Sequence, residues 1–536
     1  MSSTDIDIKK DSGVADLEQY DSDTTSIRNE PELLKRKLNA RQINMITIAG
    51  VIGTGLFLGI SGSLNKGGPG ALIISYAIIG ILVYLTMLAL GEMSTQFPVS
   101  GSFTTFAKRF GSESFGFAII SNYWLNDAVS VASDLVALQV IFEYWNPAIP
   151  GYAISLIFWV FLLFLNVFDV RFYGETEYWL SLLKVITIII FFIISIVVNA
   201  GANINHEYIG FKYWSYGEAP FVNGFKGFAS IFVSTAFAYG GLESIALVAG
   251  ETKRPSKTIP RVIKTVFWRI LIFYIFTAFF IGMNVPYDYP GLSSKTVKTS
   301  PFTIVFQLAG AKAGGSYMNA VIVTSVISAG NHALYAGSRL AYNMGTQGYL
   351  PSFLTRLNRW HTPYIAVIIT WLCGGISFGA SFIGAGQVWD WLQAIVGLSN
   401  LISWWVIGIT SIRFRRGMEL QGKTHQLIFK NWTYPYGPWI VVIFGGFIIL
   451  VQGWSTFAPW DRIAFVQSYL ELAIFPSCFI FWWLWKRGKD RFVRMEDMDF
   501  ETDRYIDTEE DIAEDLHSSQ LKGWAKFKYN FAANFL

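Results

Sequence analysis

Apolar runs about as long as a bilayer is thick recur through the whole chain, separated by shorter polar stretches. Their approximate limits are 45–64, 70–92, 114–144, 151–168, 177–198, 226–249, 265–285, 302–337, 363–384, 388–412, 436–456 and 466–486. A helix needs about 20 apolar residues to cross the hydrocarbon layer, and each run supplies roughly that or more. The pattern predicts an all-α membrane protein with about twelve transmembrane helices. The third and eighth runs exceed what a membrane needs, which predicts tilt or an interfacial helix at one end.

Basic residues sort onto alternate connections. Lys108 and Arg109 follow the second run; Lys253, Arg254, Lys257, Arg261 and Lys264 follow the sixth. Arg339, Arg356 and Arg359 follow the eighth, Arg413, Arg415 and Arg416 the tenth, and Lys486, Arg487 and Lys489 the last. The opposite connections are short or poor in Lys and Arg. By the bias of cytoplasmic loops towards these residues, both termini are expected in the cytoplasm. Residues 1–41 read as a disordered polar tail rich in Asp and Glu, 42–487 as the transmembrane domain, and 488–536 as a cytoplasmic C-terminal tail. No cleavable signal peptide is expected, and the first apolar run serves as the membrane signal.

Composition agrees with this. Of 536 residues, 52% are hydrophobic and only 15% charged, against about 25% charged in soluble domains. Cys373 and Cys478 both fall in apolar runs, so no disulfide framework is expected. No nucleophile elbow, phosphate loop or metal-ligand cluster appears. The chain is therefore not expected to be an enzyme, to hold a metal or cofactor, or to bind nucleic acid. Its partners are the lipid bilayer and a small solute.

Two runs carry helix-breaking glycine clusters. The first contains Gly50, Gly53, Gly55 and Gly59 within ten residues, and the sixth contains Gly240-Gly241 followed by Glu243. Unwound backbone at bilayer depth exposes peptide groups that a substrate or ion can satisfy. A half-helix starting near Thr54 aims its positive end at an anionic group such as a carboxylate. With runs one to five and six to ten taken as two halves, both breaks occupy the first helix of a half. Interrupted helices in matching positions point to a transporter site between inverted repeats. Close helix packing at small residues is the plainer alternative, and a pore also uses broken backbone.

Charges inside the apolar runs are few, costly and usually functional. Asp134 lies midway through the third run, with Asp127 nearer its end; Glu243 sits at the second break and Lys184 in the fifth run. Glu92, near the end of the second run, suits a structural role. Asn331 and His332 interrupt the eighth, where a lone His more often packs through a hydrogen bond than titrates. Lys184 carries a fixed ammonium that can stand in for a bound cation and exchange a proton during a cycle; the alternative is a lysine snorkelling to the interface.

Arg41-Gln42-Ile43-Asn44-Met45-Ile46 running into Gly50–Gly59 resembles the opening of fungal plasma-membrane amino-acid permeases of the YAT type, in the amino acid–polyamine–organocation superfamily. Gly91-Glu92-Met93, Tyr173-Gly174-Glu175, Glu177-Tyr178-Trp179 and Lys184 are similar too. So are Gly250-Glu251 with Arg254-Pro255, Ile259-Pro260-Arg261, Trp268-Arg269-Ile270, Ser300-Pro301-Phe302 and Tyr335-Ala336-Gly337-Ser338-Arg339. Together they run from about residue 38 to 500.

The resemblance implies a five-plus-five inverted-repeat core with broken helices one and six, two further C-terminal helices, and proton-coupled amino-acid uptake by alternating access. It implies that the substrate carboxylate meets the amides of Gly53, Thr54 and Gly55. The α-amino group then meets carbonyls of Ile52 and of the Phe237–Tyr239 region beside Gly240. Lys184 stands where sodium-coupled relatives hold a cation, which places proton coupling there, with Glu243 as a second candidate; the proton is the coupling ion. The N-terminal tail is the candidate segment for ubiquitin-dependent trafficking machinery.

Two departures stand out. This chain has Gly241-Leu242-Glu243 where many fungal relatives have Gly-Thr-Glu, which removes a hydroxyl. It has Asp134 where many carry Glu, which retracts the charge by one methylene and leaves more room or favours a longer cationic substrate. Segments such as Asn319-Ala320-Val321-Ile322 look most like the basic amino-acid permeases, so cationic or broad-range amino acids are expected. The alternatives are uptake of a derivative such as S-adenosylmethionine, or a non-transporting sensor. A sensor is expected to carry a large signalling extension, whereas the tail here is some forty residues.

Overall fold

The structure is a computed structural model that describes residues 52–506 apart from 100, 147, 169, 248–253, 293–299 and 312, together with 520, 523 and 524. The tail 1–41, the Arg41–Ile46 motif, Gly50, Gly250, Glu251 and most of 507–536 lie outside the described residues.

Gly68 and Pro69 divide the first two passages. A π-helical turn, Gly55–Gly59, runs into helix α1, Ile60–Gln96, which breaks at Gly68 (φ 79°, ψ 175°). Positive φ is cheap only for glycine, and a Cβ there would lie 2.8 Å from the Pro220 carbonyl oxygen. The proline that follows lacks the N–H that an unbroken helix would use.

The remaining elements are α2 (Ser102–Phe110), α3 (Glu113–Phe142), α4 (Gly151–Val167), α5 (Val170–Asn199), α6 (Gly224–Ser230), α7 (Phe232–Tyr239) and α8 (Ser244–Leu247). Then come α9 (Pro255–Arg269), joined by a second π-helical stretch, Ile270–Phe276, to α10 (Thr277–Asn284). They are followed by α11 (Pro301–Leu308), α12 (Gly314–Thr346), α13 (Tyr364–Cys373), α14 (Ala380–Ile383), α15 (Ala385–Leu420), α16 (Tyr436–Val451) and α17 (Arg462–Trp485). Among the described residues these make an all-helical, multi-pass fold of twelve passages. α6 to α8 form one interrupted passage, α9 with α10 another, and α13 with α14 another.

Two boundaries depart from the apolar pattern. The seventh passage starts at Pro255, not near 265, because α9 is amphipathic and basic and its first turns read as loop. The eighth run splits: α11 is a separate short helix, and Gly310 (φ 77°) turns the chain before α12. The third run is a single helix, its N-terminus capped by Ser112, whose hydroxyl accepts from the Phe115 N–H at 3.2 Å.

Burial separates core from periphery. In the most apolar stretches of α3 and α15, 83% of residues are buried inside the protein, against 6% in α17. α3 packs on α12 and α15, and α15 on α7. α4 and α13 join through stacked Trp159 and Trp371, each indole N–H donating 2.8 Å to the other's carbonyl.

After α17 the chain turns at Arg487 and Gly488 and runs back across one end of the bundle. The Val493 N–H donates to the Gly111 carbonyl at 2.8 Å. Asp490 accepts from the Glu113 and Ser114 N–H groups at the start of α3. Phe500 is buried beside Phe110 and Phe414, ring centroids 5.6 and 5.8 Å apart.

Candidate functional site

The sixth passage loses helical geometry at mid-length. α7 ends at Tyr239, the backbone turns through Gly240 (ψ 151°) and Gly241 (φ 92°), and α8 restarts at Ser244. Gly240 faces Asn400 on α15; a Cβ there would lie 2.1 Å from the Asn400 amide nitrogen. The first passage is described from its own interruption onward. Ile52 and Gly53 form a bend, helix starts at Thr54, and the Phe57 N–H reaches back to the Gly53 carbonyl at 3.3 Å. The amides of the first turn therefore lack partners within the helix. The two interruptions touch: a Cβ on Gly55 would lie 2.5 Å from Ala238 Cα.

Between them lies a cavity of about 70 Å³. Gly53, Thr54 and Gly55 form one wall, and Phe237, Ala238 and Gly240 another. α3 contributes Asn126, Asp127, Ser130 and Asp134, and α12 contributes Ala329, His332 and Ala333. Asp134 accepts a short hydrogen bond from the Thr54 hydroxyl, which ties α3 to the start of the first half-helix. Both His332 ring nitrogens are engaged, Nδ1 with the Tyr173 hydroxyl at 3.0 Å and Nε2 with Ser244 Oγ at 2.9 Å. That geometry is one of packing.

Of the residues singled out from sequence, Gly53, Thr54, Gly55, Asp127, Asp134, Phe237, Gly240 and His332 share this cavity. Ile52, Tyr239, Glu243 and Lys184 are buried and do not line it. Tyr239 stacks on Tyr274 at 3.9 Å and donates to the Tyr76 carbonyl at 2.9 Å. Glu243 accepts from the Tyr123 hydroxyl at 2.8 Å and the Trp404 indole at 3.2 Å. The carbonyls beside the second break are partly used: Tyr274 donates to that of Ala238 at 2.7 Å, and the Gly240 N–H to that of Phe237 at 3.3 Å. Each keeps a second lone pair.

Lys184 lies behind the cavity, within electrostatic reach of Asp134 and Glu177. Its ammonium donates to Ser328 Oγ at 2.9 Å, and Ser328 and Asn331 each donate to the Glu177 carboxylate. Glu177 and Lys184 are seven residues apart on α5, a spacing that puts them on one helical face. Glu92 pairs with Arg415 on α15 and accepts from the Asn431 N–H at 2.9 Å, away from the cavity. The structure adds Asn126, Ser130, Ala329 and Asn400 to the lining. A signal for the α3 residues was present: Asp127, Ser130 and Asp134 recur at helical spacing within an apolar run.

A sequence profile of the amino acid permease family matches residues 42–495. A probable amino-acid permease of Schizosaccharomyces pombe is 40% identical over 90% of this chain and 97% of its own length. The lysine-specific permease of Escherichia coli is 39% identical, covering 87% and 96%. An S-adenosylmethionine permease of Candida albicans is 36% identical, covering 95% and 85%. With its interrupted helices meeting at a polar cavity and a family match over most of its length, this chain belongs to the amino acid permease family.

Proposed function

We propose that this protein takes up amino acids across the plasma membrane by alternating access, driven by protons, with both termini in the cytoplasm. The observation that carries the reading is the meeting of the two interrupted passages at one cavity. There a helix start, free carbonyl lone pairs and Asp134 offer complementary partners to a zwitterion. The carboxylate suits the amides of Gly53, Thr54 and Gly55, since a helix start favours negative charge. The α-ammonium suits Asp134 and the carbonyls of Ile52 and Phe237–Tyr239. Lysine specificity in the E. coli relative supports cationic amino acids among the substrates. Lys184 is the proposed proton-coupling group, with Glu243 as a second candidate. The N-terminal tail is proposed to meet the trafficking machinery.

Uptake of labelled lysine, arginine and leucine in cells lacking their own permeases tests this, with and without a proton uncoupler. Accumulation that the uncoupler abolishes is expected, and Lys184→Ala is expected to abolish uphill accumulation while the protein still reaches the surface. Unchanged uphill uptake in that variant overturns the role of Lys184. Binding without uptake of any amino acid points to a sensor. The name of the C. albicans relative makes S-adenosylmethionine a second cargo to include in the competition series.

A further inference from the structure

The cavity holds two aspartates of α3 in different circumstances. Asp134 has a protein donor, the Thr54 hydroxyl. Asp127 is 7% exposed and lines the same cavity, yet its Oδ2 is buried and has no hydrogen-bond partner among the described residues. Three neighbouring donors are committed elsewhere. The Tyr123 hydroxyl goes to Glu243 and the Trp124 indole to Thr370 Oγ1 at 3.1 Å. The Asn126 amide goes to the Val396 carbonyl and Asn400 Oδ1. Glu243 lies close enough for the two carboxyl groups to interact electrostatically. A buried carboxylate without a donor is costly, and a charge facing a cavity is normally satisfied by what enters it.

Glycines on the facing helix let it pack directly against both aspartates. A Cβ on Gly337 would lie 3.0 Å from Asp127 Cβ, and one on Gly330 would lie 3.4 Å from Asp134 Cβ. The seven-residue spacing on α3 is matched by seven on α12, running the opposite way. Seven helical residues span about 10 Å. With an α-ammonium held near Asp134 and Thr54, a long unbranched side chain would run along α3 and end near Asp127.

We infer that Asp127 is the side-chain subsite, and that its carboxylate receives the positive charge at the end of a long cationic side chain: an ammonium or a guanidinium. This rests on the amino-acid uptake reading, and assigns the backbone end to Asp134 and the side-chain end to Asp127.

The test is competition against whichever labelled amino acid the wild type takes up. Lysine is compared with norleucine, its neutral counterpart, in wild type, Asp127→Asn and Asp127→Glu. In Asp127→Asn the preference for lysine over norleucine is expected to fall at least about tenfold, because the variant keeps the shape and loses the charge. Asp127→Glu is expected to keep most of the preference. An unchanged lysine-to-norleucine ratio in Asp127→Asn, or an equal loss in Asn and Glu variants, overturns the assignment while leaving uptake standing. A wild type that takes up no amino acid overturns the uptake reading itself, and this inference with it.

Discussion

At the end of the bundle crossed by residues 488–506, charges meet opposite charges. Arg109 pairs with Asp499 and Asp503, Arg415 with Glu92, Lys423 with Glu501 and Lys486 with Glu113. In the cavity, Asp134 has the Thr54 hydroxyl and, within electrostatic reach, Lys184, whereas Asp127 has no ion pair among the described residues. The two regions use the same residue types to opposite ends. Balanced charge at the rim builds structure, because each partner removes the other's desolvation penalty. Asp127, without such a partner among the described residues, leaves that penalty for a ligand to remove.

The sharpest break of this contrast is at the rim. Glu92 is 1% exposed and its carboxylate holds both Arg415 and the Asn431 N–H. Glu92→Ala leaves a largely buried guanidinium with Glu419, 3.9 Å away, and the Tyr434 ring as partial substitutes. A loss of about 3 kcal/mol is expected, near the lower end for breaking a buried pair. It is read as a lowered melting temperature and reduced monodisperse yield in detergent. A variant as stable as wild type removes Glu92 from the structural class.

The second test is at the contact of the two interruptions. Gly55→Ala puts a methyl where backbone already stands, 2.5 Å from Ala238 Cα. Overpacking of this kind costs about 1–3 kcal/mol, less than the rim variant, yet uptake is expected to be lost because the cavity walls move apart. Surface labelling beside transport separates the two effects. Stability lost with normal uptake would show that the contact matters only for packing.

Much of the fold was legible because bilayer thickness imposes one length on every passage, and lipid imposes one composition. The start of α9 was not, since a basic amphipathic helix at an interface looks like a loop in an apolar scan. Nor was the split before α12, which depends on Gly310 taking positive φ. At the site, the glycine breaks and Asp134 could be read directly. Glu243 sits off the cavity for a reason the sequence does not contain. Once the chain leaves helical geometry at Gly240, spacing no longer says which way a side chain faces. Glu243, beyond the break, turns towards Tyr123 and Trp404, whereas Tyr239 is the last residue of α7 and its helical position carries it into the Tyr76–Tyr274 stack. Asp127 was visible as a charge, but its lack of a partner appears only when its neighbours' partners are known.

The smallest expected effect concerns residues 488–506, the strap that runs back across one end of the bundle. Burial alone would raise the Asp499 carboxyl, but the Thr502 hydroxyl and N–H, the Glu501 N–H and Arg109 hold it down, from 3.8 to about 2. A carboxylate lowered in the folded state adds stability above its ordinary range, and that stability disappears as pH falls through the lowered value. The strap is therefore expected to stay docked, with unchanged protection from hydrogen exchange relative to the intrinsic rate at each pH over 488–506, between pH 8 and 5, and to loosen only towards pH 2. The side chain is 48% exposed, so Asp499→Asn is expected to cost less than about 1 kcal/mol. That appears as a few-fold faster exchange in the strap at neutral pH, with the rest of the bundle unchanged. Loosening between pH 8 and 5 would show that a group other than these aspartates holds the strap. It would also blur the contrast, because the rim would then respond to pH in the range where the transport cycle is proposed to work.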